Sequence, residues 1–314
     1  MRAVLRDLEN GRSATLVTVA RTFGSSPRPA GALMAMLSDG SIVGSVSGGC
    51  VESYLAQRLK VLAADAVFPR VETFGITRED AQRYGLPCGG RLDLVVERVQ
   101  AAAPLREIVS ALERRELVGR RVCLSTGEVS LHRAAHTQEF FYDGENLEKV
   151  FGPQWRLLVI GAGHLSQVLA PMAVALDYDM LVCDPRAGQI ASWPAPQVRF
   201  DTRMPDEAVT EYVTDARTAV VALTHDPCLD DLALTEALRS PAFYVGALGS
   251  KSNNAKRRER LAWWGVAPEC IARLHGPVGL PLGGCTPAEI AVAIVADLTA
   301  TRHGVTLRTS VGDS

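Results

Sequence analysis

The chain has 314 residues, 33 Lys+Arg against 35 Asp+Glu and a formal net charge of −2. At roughly 150 residues per domain this length suits two domains, and 47% apolar with 22% charged residues is the composition of a globular chain, not a disordered one. Near-neutral charge argues against nucleic-acid binding by bulk electrostatics, and no apolar run approaches the roughly 18 residues that cross a bilayer. Asp7 stands where a signal peptide needs its apolar segment, so a cytoplasmic protein is expected, with neither nucleic acid nor membrane as partner. Seven cysteines, an odd number with no C-x-x-C pair, make neither a disulfide framework nor a zinc module.

In the first half, strands are predicted over 14–19, 32–37, 42–46, 71–74 and 92–97, and helices over 51–64 and 105–116. The loop from Thr22 to Gly31 offers hydroxyls, glycines and the Arg28 guanidinium, parts suited to a phosphate or a polar heterocycle. Ser47-Gly48-Gly49-Cys50 leads from a strand into a helix, where unpaired N–H groups would stabilise a Cys50 thiolate. Cys88 precedes Gly89-Gly90; glycines beside a thiol let a bulky ligand reach the sulfur, and a thiolate suits a metal centre or a sulfur-transfer step. The plainer reading of both is a small apolar residue packed beneath a turn. That reading is favoured for Cys285 after Gly283-Gly284, and Cys123 and Cys183 are read as buried structural thiols in apolar strands.

Turn residues between Phe141 and Pro153 mark a division. The predicted plan is α/β: an N-terminal α+β domain over 1–100, a bridging segment over 101–153, and a C-terminal Rossmann-like parallel-sheet domain over 154–314. Strands over 156–160, 180–183, 218–223 and 242–245 alternate with helical stretches over 165–176, 206–214, 229–238 and 252–263. Thr286-Pro287-Ala288-Glu289 signs the start of a last, buried apolar helix.

Within this second half, Gly161-Ala162-Gly163-His164-Leu165-Ser166 follows a strand and opens a helix, with Ser166 at the third position of G-x-G-x-x-G. Gly161 would make the tight turn, and Gly163 would let backbone N–H groups approach a phosphate. Asp184 lies 23 residues after Gly161, where an acidic side chain accepts from a ribose hydroxyl, and Arg186 is near enough to meet a phosphate. His164 is either structural or a donor to the ligand. Thr224 and His225 follow a third strand; Gly249, Ser250 and Lys251 follow a fourth and form a second candidate anion contact, with a solvated lysine as the alternative for Lys251. Lys256, Arg257, Arg258 and Arg260 are read as an exposed basic helix face able to dock a partner.

With these residues in view, the chain resembles the xanthine dehydrogenase accessory factor (XdhC/CoxI) family of molybdenum-cofactor chaperones. The likeness lies at Gly24-Ser25-Ser26-Pro27-Arg28, at Gly44 to Glu52, at Cys88-Gly89-Gly90, at Gly161 to His164, and at Asp184-Pro185-Arg186. It continues at Thr224-His225-Asp226-Pro227, Gly249-Ser250-Lys251, Gly279 to Gly283 and Thr286 to Ala291. Departures from many members are Cys285, where a basic residue is common, and Ser166 in place of Gly.

The resemblance implies a protein that binds molybdenum cofactor, as molybdopterin or its cytosine dinucleotide form, assists its sulfuration, and passes it to a molybdenum hydroxylase apoenzyme. It implies a cysteine desulfurase as a further partner and Cys50 as a candidate molybdenum contact; a homodimer is the default assembly. The ligand is expected between the domains, with Gly161, Asp184 and Lys251 at the phosphate end, and Arg28, Cys50 and Cys88 at the pterin end. The competing reading is an NAD(P)-dependent oxidoreductase, which needs an acid/base near its substrate; His225 is the better candidate and His275 the weaker. A third is a scaffold that docks on a hydroxylase without holding the cofactor.

Overall fold

The computed structural model describes residues 1–24, 28–61, 68–75, 91–134, 140–191, 193 and 198–305. The chain divides into two compact units, Met1–Pro153 and Gln154–Ser314. Among the described residues, no helix is long and apolar enough to cross a membrane.

In the first unit, β1 (Ala14–Phe23), β2 (Leu33–Met36), β3 (Ile42–Gly44), β4 (Arg70–Phe74) and β5 (Arg91–Val99) form an antiparallel sheet ordered β3-β2-β1-β5-β4. Side chains on β1 alternate between two apolar layers, as strand geometry requires. Val17 and Val19 pack with Val51 and Leu55 of α2 (Cys50–Val61). Leu16 packs with Leu5 of α1 (Arg2–Glu9) and with Leu105 and Ile108 of α3 (Ala103–Glu113). The helix α1 is not among the predicted elements. Residues 101–153, expected as a bridge, carry α3 and a second antiparallel sheet of β6 (Val118–Cys123), β7 (Val129–Arg133), β8 (Phe140–Tyr142) and β9 (Asn146–Phe151), ordered β7-β6-β9-β8. The two sheets are joined by a buried bidentate ion pair: Arg120 Nη2 and Nη1 donate to Glu97 at 2.7 and 3.1 Å, and both residues are 5% exposed.

The second unit is the Rossmann-like α/β fold that strand–helix alternation predicts. Its parallel strands are β10 (Arg156–Ile160), β11 (Asp179–Cys183), β12 (Arg199–Asp201), β13 (Thr218–Ala222), β14 (Tyr244–Ala247) and β15 (Leu274–His275), ordered β12-β11-β10-β13-β14-β15. Leu158 and Ile160 face α6 (Pro205–Tyr212) and α7 (Pro227–Arg239); Leu157 and Val159 face α4 (His164–Ala175) and α10 (Pro287–Arg302), and two short helices, α5 (Ala187–Ala191) and α9 (Pro268–Ile271), lie in the connections. Burial on both faces explains why these strands read as continuous apolar runs. The chain starts at β10, builds outward through β11 and β12, then returns to add β13 on the other side. The connections that leave the carboxyl ends of β10 and β13, strands paired through Ile160 and Ala222, therefore run to opposite sides and leave a crevice, the usual ligand position in such sheets.

The last helix begins with the predicted capping box: the Thr286 hydroxyl accepts from the Glu289 N–H, and Glu289 returns a bond to the Thr286 N–H at 2.9 Å. It is not wholly buried, however. Ala291, Ile294 and Leu298 enter the core while Val292 is 45% exposed, because the helix covers the sheet with one face only.

Candidate functional site

The loop after β10 is shaped by its glycines. Gly161 has φ +106°, and a Cβ there would lie 3.0 Å from the Thr224 Cα; only glycine takes that conformation without strain. Ser166, at the third position of the motif, is fully buried and donates to the Gly161 carbonyl at 2.6 Å. Its small size permits the helix to approach the strand. Gly163 is the N-cap of α4, with no side chain capping the helix and nothing within 4 Å of a Cβ built on it. The first N–H groups of a 12-residue helix thus open into free space, a setting that favours an anion.

Asp184 directly follows β11, at the expected place, with a different task. Its carboxylate has no exposed surface. It accepts from the Ala162 N–H at 2.9 Å, the Arg186 N–H at 3.0 Å, and Arg186 Nε and Nη2 at 2.8 and 2.9 Å. Burial pushes this carboxyl up, but the Arg186 guanidinium and the Ala162 N–H prevail and hold it below the usual aspartate range. Asp184 therefore locks the glycine loop to Arg186 and has no surface to offer a ribose hydroxyl.

A cavity of about 400 Å³ lies over this loop, lined by Gly163, His164, Arg186, Thr224, His225 and Cys285 among others. A second, of about 540 Å³, is lined by His225, Gly249, Lys251 and the loop from Pro277 to Gly284. The two share His225, Leu248 and Ile290. The structure thus brings together Gly163, His164, Arg186, Thr224, His225, Gly249 and Lys251. His164 is exposed at the helix start and Lys251 is exposed at the start of α8 (Lys251–Trp263). Ser250 caps α8, accepting from the Asn253 N–H at 3.2 Å. His225, between the cavities, has φ +63°, a left-handed conformation that non-glycine residues adopt only when their surroundings impose it. His275 lines neither cavity; its Nδ1 lies 3.1 Å from Asp297 Oδ2, which also accepts from the Tyr244 hydroxyl at 2.7 Å.

Two readings of cysteines change. Cys285 is exposed and lines the first cavity, because the turn before α10 directs its Glu289 bonds through the Cys285 N–H and leaves the side chain outside. Cys123 is half-buried at the end of β6, 3.2 Å from the Ser125 hydroxyl. Hydrogen bonds from Ser125 and then Thr126 pull its thiol down to about 7. Cys183 is buried as expected, and burial pushes its thiol up to about 12. The basic-face reading of α8 also fails in part. Arg257 is 6% exposed and ion-paired with Asp230 and Asp231, and Arg258 donates to the Leu274 carbonyl at 2.9 Å. Acidic residues on α7 face this side of α8, so its arginines turn inward.

In the first unit, Gly48 and Gly49 are exposed, Cys50 is the first residue of α2, and Arg28 is exposed. The Cys50 side chain, Ser25 to Pro27 and the whole Cys88-Gly89-Gly90 segment lie outside the described residues. The loop is organised by Glu52, a residue to which the sequence reading assigns no role. Its carboxylate accepts from the N–H groups of Val46, Ser47, Gly48 and Gly49 at 2.8 to 3.1 Å, and from the Ser45 and Ser47 hydroxyls. Burial opposes ionisation, yet these bonds, led by Ser47, hold the carboxyl far below the usual glutamate range. The signal for it was local: a Glu two residues after Cys50, at the third helical position, is where a capping carboxylate sits.

The comparisons agree with this architecture. Residues 157–298 match the model of the XdhC Rossmann domain, and residues 7–75 match that of the XdhC and CoxI family. The molybdenum cofactor insertion chaperone PaoD of Escherichia coli (strain K12) is 29% identical, with 96% of this chain and 87% of that protein covered. A probable xanthine dehydrogenase subunit of Bacillus subtilis (strain 168) is 26% identical, with 95% and 96% covered. A crystal structure from Bacillus halodurans, described as a xanthine dehydrogenase, has a TM-score of 0.75 at 24% identity over 98% of this chain and 97% of that one, a likeness of fold. With residues 7–75 and 157–298 matched in order by the family's two models, the chain belongs to the XdhC/CoxI family.

Proposed function

We propose that this protein is a molybdenum-cofactor accessory protein whose cargo is held at its phosphate end by the crevice of the second unit. The observation that carries this reading is the uncapped start of α4 at Gly163, opening onto a cavity that Arg186, His225 and, in its neighbour, Lys251 line. Backbone donors supplemented by cationic side chains suit a phosphate, and molybdopterin bears one. The residues present therefore fit that end of the cargo. Relatives named as a molybdenum cofactor insertion chaperone and as a probable xanthine dehydrogenase subunit support the same role.

The finer parts of the reading are ours as well. Cys50 and Cys88 are assigned to the molybdenum end, with Arg28, Gly48 and Gly49 around them. The protein would protect the cofactor, assist its sulfuration with a cysteine desulfurase, and deliver it to a hydroxylase of the xanthine dehydrogenase type, acting as a homodimer. The oxidoreductase alternative loses the ribose acceptor it needs, since Asp184 is sealed behind Arg186.

The test is anaerobic incubation with molybdenum cofactor followed by gel filtration. Wild type should retain the cofactor. Gly163→Val should lose it with the fold retained, because a Cβ there meets no protein atom within 4 Å beyond its chain neighbours and the valine fills the approach to the N–H groups. Cys50→Ala should weaken retention. Wild type that retains nothing sinks the reading, and NAD-dependent turnover without cofactor retention would favour the oxidoreductase.

A further inference from the structure

We infer that Arg257 is a positioning residue for the crevice: from beneath, it sets the two strand-end loops that present His225 and Lys251 to the ligand. The inference rests on the preceding reading only for the chemistry of that ligand, an anion carrying phosphate.

Arg257 uses its guanidinium in four directions. Nη2 donates to Asp230 at 3.1 Å, Nε to Asp231 at 3.1 Å, and Nη1 to the Leu248 carbonyl and to Asn254 Oδ1, each at 2.9 Å. Arg257, Asp230, Asp231 and Asn254 are all buried, the most open at 6%. A charge sealed in this way is tolerable only when its donors are matched.

Two chains of bonds lead from it to the crevice. In the first, Asp230 Oδ1 accepts from the Thr224 hydroxyl at 2.7 Å and from the Thr224 N–H at 3.2 Å. The same hydroxyl accepts from the Asp226 N–H at 2.9 Å, so His225 is bracketed on both sides, and this bracket accounts for its positive φ. In the second, Asn254 Nδ2 donates to the carbonyls of Gly249 and Ser250 at 2.9 and 3.2 Å, while Arg257 itself holds Leu248. Those residues lead directly into Lys251. The rigid guanidinium fork spans all these acceptors; a lysine ammonium is a single point and reaches only some of them.

The test needs no ligand for its first readout. The His225 ring resonance is assigned as the one absent from the spectrum of His225→Ala. Arg257→Lys should shift it in folded protein. Arg260→Ala removes a partly exposed arginine whose Nε meets the far oxygen of Asp231 at 2.5 Å, and it should leave the resonance in place. Should Arg257→Lys fail to fold, Thr224→Val removes only the bracketing hydroxyl and must still move the signal. The second readout is calorimetric binding of inorganic pyrophosphate, expected to weaken about tenfold in Arg257→Lys, the order of one lost charge-assisted hydrogen bond. An unmoved His225 resonance in folded Arg257→Lys or in Thr224→Val, an equal shift in Arg260→Ala, or undiminished pyrophosphate binding in folded Arg257→Lys overturns the inference. If wild type binds no pyrophosphate, the crevice reading fails, and the His225 resonance still decides the positioning role.

Discussion

Gly161 and Gly163 are two residues apart, and the structure separates their duties. Gly161 has a backbone only glycine tolerates and presses against Thr224. Gly163 has ordinary extended geometry and faces open space. Gly161→Ala should therefore destabilise the fold, by about 1–3 kcal/mol for the strained backbone, read as a lower denaturant midpoint. Gly163→Val, which loses only the helix-start preference for glycine, should lower that midpoint less while abolishing cofactor retention. Equal stability loss in the two would refute the division. Spacing alone located both glycines; which one serves the fold and which the ligand depends on what lies across the loop. Asp184 carries the same lesson. Its position was legible from the motif, but its partner Arg186 leaves it no surface for a ribose.

At the scale of the elements, the strands and helices of the second unit were readable because each strand is an apolar run buried on both faces and each helix is punctuated by turn residues or caps. The first unit was harder. The helix α1 places Val4, Leu5 and Leu8 on one face, but eight residues are too few for a strong periodic signal. The segment after residue 100 holds a second sheet whose short, partly exposed strands resemble loops in composition. Alongside apolar contacts, the two sheets of this unit are joined by the buried pair Glu97–Arg120, 23 residues apart in sequence. Arg120→Met alone should cost about 3–5 kcal/mol, because it strands a buried carboxylate, whereas Arg120→Met with Glu97→Leu should recover most of that loss. Urea denaturation of wild type and the two variants checks this, and an equal loss in the single and double variants would contradict it.

For the whole molecule, carboxylates depressed on folding contribute to acid stability, Glu52 in the first unit and Asp184 in the second among them. Glu52 and Asp184 are both held below their ordinary values of 4.5 and 3.8. A carboxyl depressed on folding stabilises fully above its unfolded pKa and loses that contribution as pH falls through the folded one. Stability from these groups is thus complete above about pH 5 and declines below about pH 4. Glu52→Gln should cost about 2 kcal/mol near neutrality, the scale of hydrogen bonds to a charged group. The gap from wild type should narrow as pH falls below 4.5. A gap that stays constant down to strongly acidic pH would show that Glu52 is not the titrating group.

The sequence by itself determined the fold class, the glycine loop, the capped last helix and the family, because each is written in residues close together along the chain and follows from local geometry: strand period, turn chemistry, helix capping. Only the tertiary structure decided which charges are buried and what they touch. Arg257 looks like a solvated helix arginine until α7 supplies Asp230 and Asp231, 27 and 26 residues away. Cys285 looks like a packed turn residue until the crevice opens beside it. Solvent exposure and ion pairing are properties of a side chain's neighbours in space, and those neighbours come from distant segments that no local pattern joins.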